Sequence, residues 1–261
     1  MLKLAITAAL KAGKEILNIY NNPNADFAIE RKSDNSPLTI ADKASHLKIE
    51  ELLSATNIPL LSEEGKNIPY LLREKWERYW LVDPLDGTKE FIKKNGEFTV
   101  NIALIENQKP VLGVVYVPVS ETLYWGETEK GAWKKNTVSV DSTWKQIQEN
   151  ATSLPVGKKD TIYTVAGSRS HLSPETGDYI QLLKKKYGEI RFISKGSSIK
   201  ICMVAEGIAD EYPRFGPTME WDTAAGHAIA NAAGKKLWLT DFSGELIYNK
   251  ENLLNPCFIV K

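Results

Sequence analysis

The sequence predicts a layered α/β fold, and two patterns support this prediction. In the first half, three apolar runs at 98–106, 111–117 and 122–126 are joined by short polar connections, which is typical of an antiparallel meander. In the second half, predicted strands alternate with predicted helices between 161 and 240, which is typical of an α/β layer. With 261 residues, 43 % of them hydrophobic, the chain can form a large core or two moderate domains.

The first half is predicted to begin with two helices and a short strand. Apolar residues recur at helical spacing over 2–21, and an Asn-Asn-Pro-Asn turn ends this helix. Charged residues interrupt the apolar stretch and no cleavage pattern follows, so we expect a mature helix rather than a signal peptide. A second helix is predicted over 39–56 with Thr39 as its cap, followed by a strand at 59–61.

The second half is predicted to follow a polar segment at 141–160, which contains a proline and a glycine. This segment is the candidate boundary between an N-terminal subdomain of residues 1–150 and a C-terminal subdomain of residues 151–261. The elements predicted beyond the boundary are strands at 161–166, 189–194, 208–213 and 235–240 and helices at about 173–187, 197–206 and 222–233.

The charge balance argues against a highly charged macromolecular partner. Lysine plus arginine and aspartate plus glutamate each total 33, so the net charge is zero. We therefore expect no nucleic-acid partner, and a local site must bind any anionic substrate. No stretch approaches the roughly 20 apolar residues that span a membrane. Cys202 and Cys257 have neither metal-ligand spacing nor a disulfide framework, which favours a reducing cytoplasm, with loose attachment to the membrane's inner face left open.

The stretch from Trp80 to Thr88 contains two acids at the end of an apolar run. Burying Asp83 and Asp86 there is costly unless a positive group lies between them, and a hard divalent cation prefers oxygen ligands. The rigid proline between them lets both carboxylates and the Leu85 carbonyl face one ion. The amides of Gly87 and Thr88 then offer an anion site. A metal beside a phosphate site is typical of a metal-dependent phosphatase. The simpler interpretation of Asp83 and Asp86 is that they are ordinary turn residues.

Four further acids can contribute to this site. Glu63 and Glu64 follow a short apolar strand and are a third carboxylate source or a solvated loop. Asp222 begins a helix rich in alanine and glycine, whose small residues indicate close packing, so it is a buried ligand or a helix cap. Asp42 lies three residues after Thr39 in a capping box, and this role is compatible with polarising the hydroxyl of Thr88.

These segments together resemble one enzyme family. Ser62-Glu63-Glu64, WLVDPLDGTKEF at 80–91 and EWDTAAGHA at 220–228 resemble the inositol monophosphatase superfamily of magnesium-dependent, lithium-sensitive phosphatases. The match is closest to its bacterial-type 3′(2′),5′-bisphosphate nucleotidase branch and covers nearly the whole chain. It implies an αβαβα sandwich with the active site between the two subdomains.

The resemblance also implies roles for individual residues. Glu63, Thr88 and Asp42 would be catalytic, with Asp42 orienting Thr88, and Gly87 would contact the scissile phosphate together with Thr88. Two or three Mg²⁺ ions would be held by Glu63, Asp83, the Leu85 carbonyl, Asp86 and Asp222. All of these ligands except Asp83 would also contact the substrate.

One position distinguishes the branches of the family. The inositol-specific enzymes have a glutamate where this chain has Phe215. An aromatic ring beside the Arg214 cation suits a nucleotide with a second phosphate. The simpler interpretation is that Phe215 packs within a loop and Arg214 is a surface charge. The implied reaction converts 3′-phosphoadenosine 5′-phosphate, a by-product of sulfate assimilation, to AMP and phosphate. The candidate contacts for the nucleoside and its 5′-phosphate are Arg169, Ser170, Lys195, Ser197, Lys200 and Arg214.

Other functions remain open at this stage. Within the same superfamily, the chain could be an inositol monophosphatase or a sugar phosphatase. Outside catalysis, it could be a nucleotide-binding sensor, but an intact pair of Thr88 and Asp42 argues against pure binding. A nucleic-acid 3′-phosphatase is disfavoured by the absence of net positive charge. A homodimer is compatible with the sequence, which does not determine the oligomeric state.

Overall fold

A computed structural model describes residues 1–24, 27–31, 37–157, 161–168 and 173–261. The helices are α1 (Leu2–Tyr20), α2 (Ile40–Leu53), α3 (Tyr70–Arg73), α4 (Thr88–Ile92), α5 (Trp144–Gln148), α6 (Pro174–Tyr187), α7 (Ile199–Glu206) and α8 (Glu220–Ala232), with a 3₁₀ turn at Ser54–Thr56. The strands are β1 (Glu30–Arg31), β2 (Pro37–Leu38), β3 (Leu60–Ser62), β4 (Arg78–Asp86), β5 (Thr99–Glu106), β6 (Lys109–Val117), β7 (Thr122–Glu127), β8 (Gly131–Lys135), β9 (Thr152–Leu154), β10 (Tyr163–Gly167), β11 (Ile190–Ser194), β12 (Tyr212–Arg214), β13 (Leu237–Leu239) and β14 (Phe258–Val260).

The main sheet is covered by helices on both faces. Its strand order is β3-β4-β5-β6-β7-β8-β9, and every pair is antiparallel except β3 with β4. Because successive strand residues point to opposite faces, Trp80 and Ile102 pack in one core with α1 and α2, whereas Leu81 and Ala103 pack in another with α7 and α8. Both faces are therefore apolar, and the predicted layered α/β fold and meander are confirmed.

Helix α8 lies unusually close to the sheet. It packs across β4 to β8, and a Cβ placed on Gly113 of β6 would lie only 2.9 Å from the side chain of Ala228. Only glycine on the strand and small residues on the helix permit this approach. The alanine-rich composition of α8 thus follows from its packing, and this packing carries the start of α8 to the end of β4.

Two smaller sheets lie in the second half. Strands β10 and β11 pair in parallel, whereas β12, β14 and β13 form an antiparallel sheet in that order. The alternating pattern therefore predicted strands correctly but did not reveal that they belong to separate sheets. Helix α7 begins at residue 199 rather than 197 because Ser197 has a φ of +47°, which a helix does not allow. Strand β12 is shorter than predicted, and α8 begins two residues earlier.

The predicted boundary segment contains structure of its own. Helix α5 begins with a capping box at Thr143, and β9 pairs with β8 at the edge of the main sheet. The division into residues 1–150 and 151–261 stays a prediction. None of the helices in the described ranges combines the length and the apolar character that crossing a membrane requires.

Candidate functional site

The two acids of the central motif lie at an irregular end of β4. Asp83 pairs with Asn101 of β5 and Asp86 pairs with Thr99, so the pairing slips by one residue between them. Asp83 is 1 % exposed, and its Oδ1 accepts the N–H of Leu85 at 3.0 Å. This turn therefore keeps the Asp83 carboxylate buried and close to the Leu85 peptide.

Three carboxylates from distant parts of the chain meet here. Oxygens of Glu63, Asp83 and Asp222 lie within 4.8 Å of one another. Burial raises the pKa of Asp83 well above its ordinary value, and the charges of Glu63 and Asp86 raise it further. Burial likewise raises the pKa of Asp222, with additional contributions from Asp86 and Glu63. The cluster therefore resists carrying its full negative charge unless a cation is bound.

These properties fit a hard divalent cation. The side chains that converge are all carboxylates, and the Leu85 carbonyl lies on the adjacent turn, so the available donors are all oxygen atoms. Asp86 does not belong to the group of three, but its charge influences both Asp83 and Asp222. We refer below to Glu63, Asp83, Asp86 and Asp222 as the acidic wall.

The hydroxyl of Thr88 is held by Asp42. Gly87 precedes it with a φ of +94°, and a Cβ there would lie 3.2 Å from the carbonyl oxygen of Glu97, so glycine is needed to turn the chain into α4. Thr88 Oγ1 then donates to Asp42 Oδ1 at 3.0 Å. Asp42 Oδ2 accepts from the N–H and the hydroxyl of Thr39 at 2.8 and 2.6 Å. The capping box and the Thr88 contact thus use different oxygens of one carboxylate.

A cleft of about 590 Å³ opens in front of these residues. Its lining contains Glu63, Asp86, Gly87, Thr88 and Asp222. The lining also contains three residues that were predicted to contact the nucleotide, and we refer to Ser197, Lys200 and Arg214 as the cationic wall. Aromatic and apolar side chains complete the lining, including Tyr212, Trp221, Leu254 and Phe258. A ligand that fills this cleft would contact both walls.

The cationic wall carries polar groups suited to an anion. Lys200 is only 5 % exposed and donates to the carbonyls of Lys195 and Ser197 at 3.1 and 2.6 Å. Burial lowers its pKa to about 8, and the charge of Asp86 partly offsets this effect. The Ser197 hydroxyl and Arg214 Nε are buried without a hydrogen-bond partner among the described residues. Such groups are satisfied when an acceptor enters the cleft.

Other predicted contacts lie elsewhere. The Lys195 ammonium pairs with Glu97 at 3.0 Å and is not part of the cleft lining. The ring of Phe215 packs against Tyr179 with centroids 5.6 Å apart, so it belongs to the packed loop that was its simpler interpretation. Arg169 and Ser170 lie outside the described residues.

Sequence analysis missed two polar residues that support the acidic wall. The backbone N–H of Ser198 donates to Asp86, and the Asn101 amide donates to the Ser198 hydroxyl. The only signal for Asn101 was an amide within an otherwise apolar strand, where a buried polar group needs partners. Ser198 gave no signal apart from its position before a helix.

The fold and the cleft together fit the class of metal-dependent phosphatases, because carboxylates converge beside a cleft of substrate size that is also lined by cationic side chains. The chain belongs to the inositol monophosphatase family, whose family model matches residues 1–256. Members of this family depend on metal ions. The family and the fold predicted from the sequence are therefore confirmed.

Similar proteins support this assignment over the full length. The chain is 48 % identical to the 3′(2′),5′-bisphosphate nucleotidase CysQ of Salmonella typhimurium, and the match covers 100 % of this chain and 99 % of that protein. It is 47 % identical, with the same coverage, to the protein of that name from Escherichia coli K12.

Solved structures give the same result. The chain superposes with a TM-score of 0.92 on CysQ from Bacteroides thetaiotaomicron, a bacterial member of the inositol monophosphatase family; that protein is 54 % identical, with 99 % of this chain and 95 % of that chain covered. The extragenic suppressor protein suhB from Bartonella henselae is more distant, with a TM-score of 0.74 and 25 % identity over 97 % of this chain and 92 % of that one.

Proposed function

We propose that this protein is a 3′(2′),5′-bisphosphate nucleotidase that converts 3′-phosphoadenosine 5′-phosphate to AMP and phosphate. Relatives with this activity in their names match the whole chain at 47–48 % identity, which bears out the activity expected from the sequence. The observation that carries the proposal is a single cleft that is lined by carboxylates and also by Lys200 and Arg214, since a substrate with two phosphates needs both a metal site and cationic side chains.

We infer that the metal is Mg²⁺ and that two or three ions bind. The acidic wall and the Leu85 carbonyl would hold them, because hard oxygen donors suit Mg²⁺ and the raised pKa values of Asp83 and Asp222 call for a nearby cation. When bound, Mg²⁺ lowers the pKa of a coordinated water and stabilises negative charge on phosphate oxygens.

The protein's own groups would place the phosphate and the attacking water. The backbone N–H groups of Gly87 and Thr88 would bind the scissile phosphate. The proton of the Thr88 hydroxyl is donated to Asp42, so its oxygen is free to accept a hydrogen bond from the water. The Glu63 carboxylate would then accept the proton that the water loses, at the edge of the same cleft.

The cationic wall would bind the 5′-phosphate. Lys200 and Arg214 supply positive charge, and the Ser197 hydroxyl supplies a donor that has no partner among the described residues. Lys195, Arg169 and Ser170 stay candidate contacts for the nucleoside side of the substrate. Because the two walls line one cleft, substrates that carry a second phosphate beside the scissile one would be preferred.

Substrate profiling with free phosphate as the readout tests the proposal. With Mg²⁺ present, we expect kcat/KM for 3′-phosphoadenosine 5′-phosphate to exceed that for inositol 1-phosphate and fructose 1,6-bisphosphate by at least about 10-fold, which corresponds to one charge-assisted hydrogen bond. Lithium should inhibit the reaction. A preference for either sugar phosphate would overturn the nucleotidase assignment, and nucleotide binding in Ca²⁺ without phosphate release in Mg²⁺ would indicate a sensor.

Three further expectations belong to the same proposal. We infer that residues 1–150 and 151–261 form two subdomains with the active site between them, that the protein works in the cytoplasm, and that it can form a homodimer. Light scattering during size-exclusion chromatography measures the last directly, and a mass near the 29.2 kDa of one chain would contradict it.

A further inference from the structure

The carboxylate of Asp86 is anchored by one serine. Its Oδ2 accepts the N–H of Ser198 at 2.6 Å and lies 2.8 Å from the Ser198 hydroxyl oxygen. The hydrogen bonds described for Asp86 all end on Oδ2, including a longer one of 3.4 Å from Asn101. Oδ1 is consequently the oxygen available to a cation, and the anchored Oδ2 limits the directions in which Oδ1 can point.

The serine is itself held by a buried chain of hydrogen bonds from β5. The Asn101 amide donates to Ser198 Oγ at 2.9 Å, and Thr99 Oγ1 donates to Asn101 Oδ1 at the same distance. Thr99, Asn101 and Ser198 are at most 3 % exposed. Because the ionised Asp86 carboxylate can only accept, the end of the Asn101 amide that faces Ser198 and Asp86 must be the N–H end, so the orientation of this side chain is determined.

The same hydroxyl also reaches the other side of the site. Ser198 Oγ lies 2.6 Å from the carbonyl oxygen of Asp222. The hydroxyl has one proton, and with Asn101 as its donor that proton can go to Asp86 or to the Asp222 carbonyl. Ser198 therefore connects the end of β4 to the start of α8. The two acids that it contacts, Asp86 and Asp222, are 136 positions apart in the sequence.

We propose that Ser198, oriented by Asn101, is a positioning residue that sets the Asp86 carboxylate relative to Asp222, so that both acids can bind the same metal site. This rests on the proposed metal-dependent function, although its principal test does not require turnover. Residues that hold metal ligands commonly contribute 10- to 100-fold in metal affinity or activity. Without the hydroxyl, Asp86 keeps one short hydrogen bond, from the Ser198 N–H, and gains rotational freedom.

The test is metal binding by the complete protein, measured for Mn²⁺ by electron paramagnetic resonance and for Mg²⁺ by calorimetry. In Ser198→Ala, we expect the ion that Asp86 ligates to bind about 10-fold more weakly. Ser198→Thr retains the hydroxyl, so its metal affinity should remain within about 3-fold of that of the original protein. Ser194→Ala is the matched control, because the Ser194 hydroxyl is buried nearby but has no hydrogen-bond partner among the described residues.

A second variant tests the chain of hydrogen bonds from Asn101 to Ser198. Asn101→Leu preserves volume but removes the donor to Ser198, and it should weaken metal binding less than Ser198→Ala does. In the double variant, the loss should match that of Ser198→Ala alone, since Asn101 acts through Ser198. Additive losses, or a titration of Ser198→Ala that superimposes on the original, would overturn the proposal. If Ser198→Ala does not fold by circular dichroism, Asn101→Leu with unchanged metal affinity overturns it equally.

Failure of the positioning role of Ser198 can be distinguished from failure of the nucleotidase assignment. If the original protein binds Mn²⁺ but releases no phosphate from the bisphosphate nucleotide, the activity assignment fails while the positioning role of Ser198 can still be measured. If activity is present, Ser198→Ala should raise the Mg²⁺ concentration for half-maximal rate about 10-fold and leave the substrate KM within about 3-fold at saturating Mg²⁺, a separation that general loss of stability does not produce.

Discussion

The acidic wall and the cationic wall are built on different kinds of structure. The acids lie at the ends of β3 and β4 and in the first turn of α8, elements that are tied into the main sheet and its two cores. In the cationic wall, Ser197 precedes α7, Lys200 lies in the first turn of α7 and Arg214 ends a three-residue strand, and the two charged groups are held by backbone carbonyls. The acidic wall therefore depends on contacts between distant segments, whereas the charged groups of the cationic wall are positioned by hydrogen bonds to backbone carbonyls three to five residues away.

Burial acts on both walls in opposite directions. It raises the pKa values of Asp83 and Asp222, and it lowers that of Lys200 to about 8. Each wall therefore carries its charge at a cost in free energy, and a bound cation and a bound phosphate would each reduce that cost. We expect substitutions in the acidic wall to affect turnover and those in the cationic wall to affect substrate selection.

The largest effect is expected for Asp83→Asn. Losing a buried ligand should lower kcat/KM about 1,000-fold, because a metal ion supplies several kcal/mol of charge stabilisation and each 1.4 kcal/mol is tenfold in rate. Mg²⁺ should also raise the melting temperature of the original protein more than that of the variant. Phosphate release and thermal unfolding measure both, and activity above a tenth of the original would show that Asp83 is not a ligand.

A smaller effect is expected where the acidic wall meets the attacking water. Thr88→Ala removes the hydroxyl that Asp42 polarises, and kcat should fall about 100-fold, the lower end of the range for positioned proton transfer. Metal affinity should not change, which separates this role from that of the carboxylates. Thr88→Ser keeps the hydroxyl and should recover most of the rate; if serine is as inactive as alanine, the threonine acts through packing instead.

The cationic wall should give a pH-dependent KM. The Lys200 ammonium is charged below its pKa of about 8 and neutral above it, so KM for 3′-phosphoadenosine 5′-phosphate should rise as pH increases through that value. Between low and high pH, KM should change by about 10-fold, which corresponds to the loss of one hydrogen bond to a charged group. Adenosine 3′-monophosphate lacks the second phosphate, and its KM should not show this inflection.

Lys200→Arg is the control for this titration. Arginine remains protonated across the accessible pH range, so the variant should bind the bisphosphate without the change near pH 8. Lys200→Met should bind the bisphosphate about 10-fold more weakly than the original protein at all pH values below 8. An inflection that persists in Lys200→Arg would assign the titration to another group.

Features with local determinants were predicted from the sequence. The capping box of Thr39 and Asp42 forms as expected, and α6 begins where Ser173 caps it, since both depend on residues only three apart. The alternating runs of the meander are long and apolar on both faces, so their extents were close to those of β5 to β7. For the acidic wall, the sequence predicted all four acids, and the structure brings three of them within 4.8 Å.

Features that depend on distant pairing were not predicted. Strand β14 exists because it pairs with β12 and β13, and β9 exists because it pairs with β8. The anchor between Ser198 and Asp86 joins residues 112 positions apart, and no local pattern encodes it. Lys195 was predicted as a candidate contact for the nucleoside and its 5′-phosphate, but whether a flexible cation points into the cleft or toward a neighbouring acid depends on the tertiary fold.

The smallest effect is expected at an ion pair between two residues that do not line the cleft. Glu97 pairs with the Lys195 ammonium at 3.0 Å and accepts the N–H of Gly196 at 2.9 Å, while a Cβ on Gly196 would lie 2.6 Å from the Glu97 carbonyl oxygen. Glu97→Gln keeps an acceptor for the N–H but removes the charge. Because Lys195 is partly exposed, the free energy of unfolding should fall by less than about 1 kcal/mol.

The same variant decides what Lys195 does. If its ammonium serves only the pair with Glu97, then KM for the bisphosphate should stay within about 3-fold, since less than 1 kcal/mol is at stake. Glu127→Gln is the matched control, because Glu127 pairs with Lys130 at 2.6 Å and neither residue lines the cleft. A 10-fold fall in KM in Glu97→Gln alone would show that the released lysine reaches the substrate, and Lys195 would then join the cationic wall.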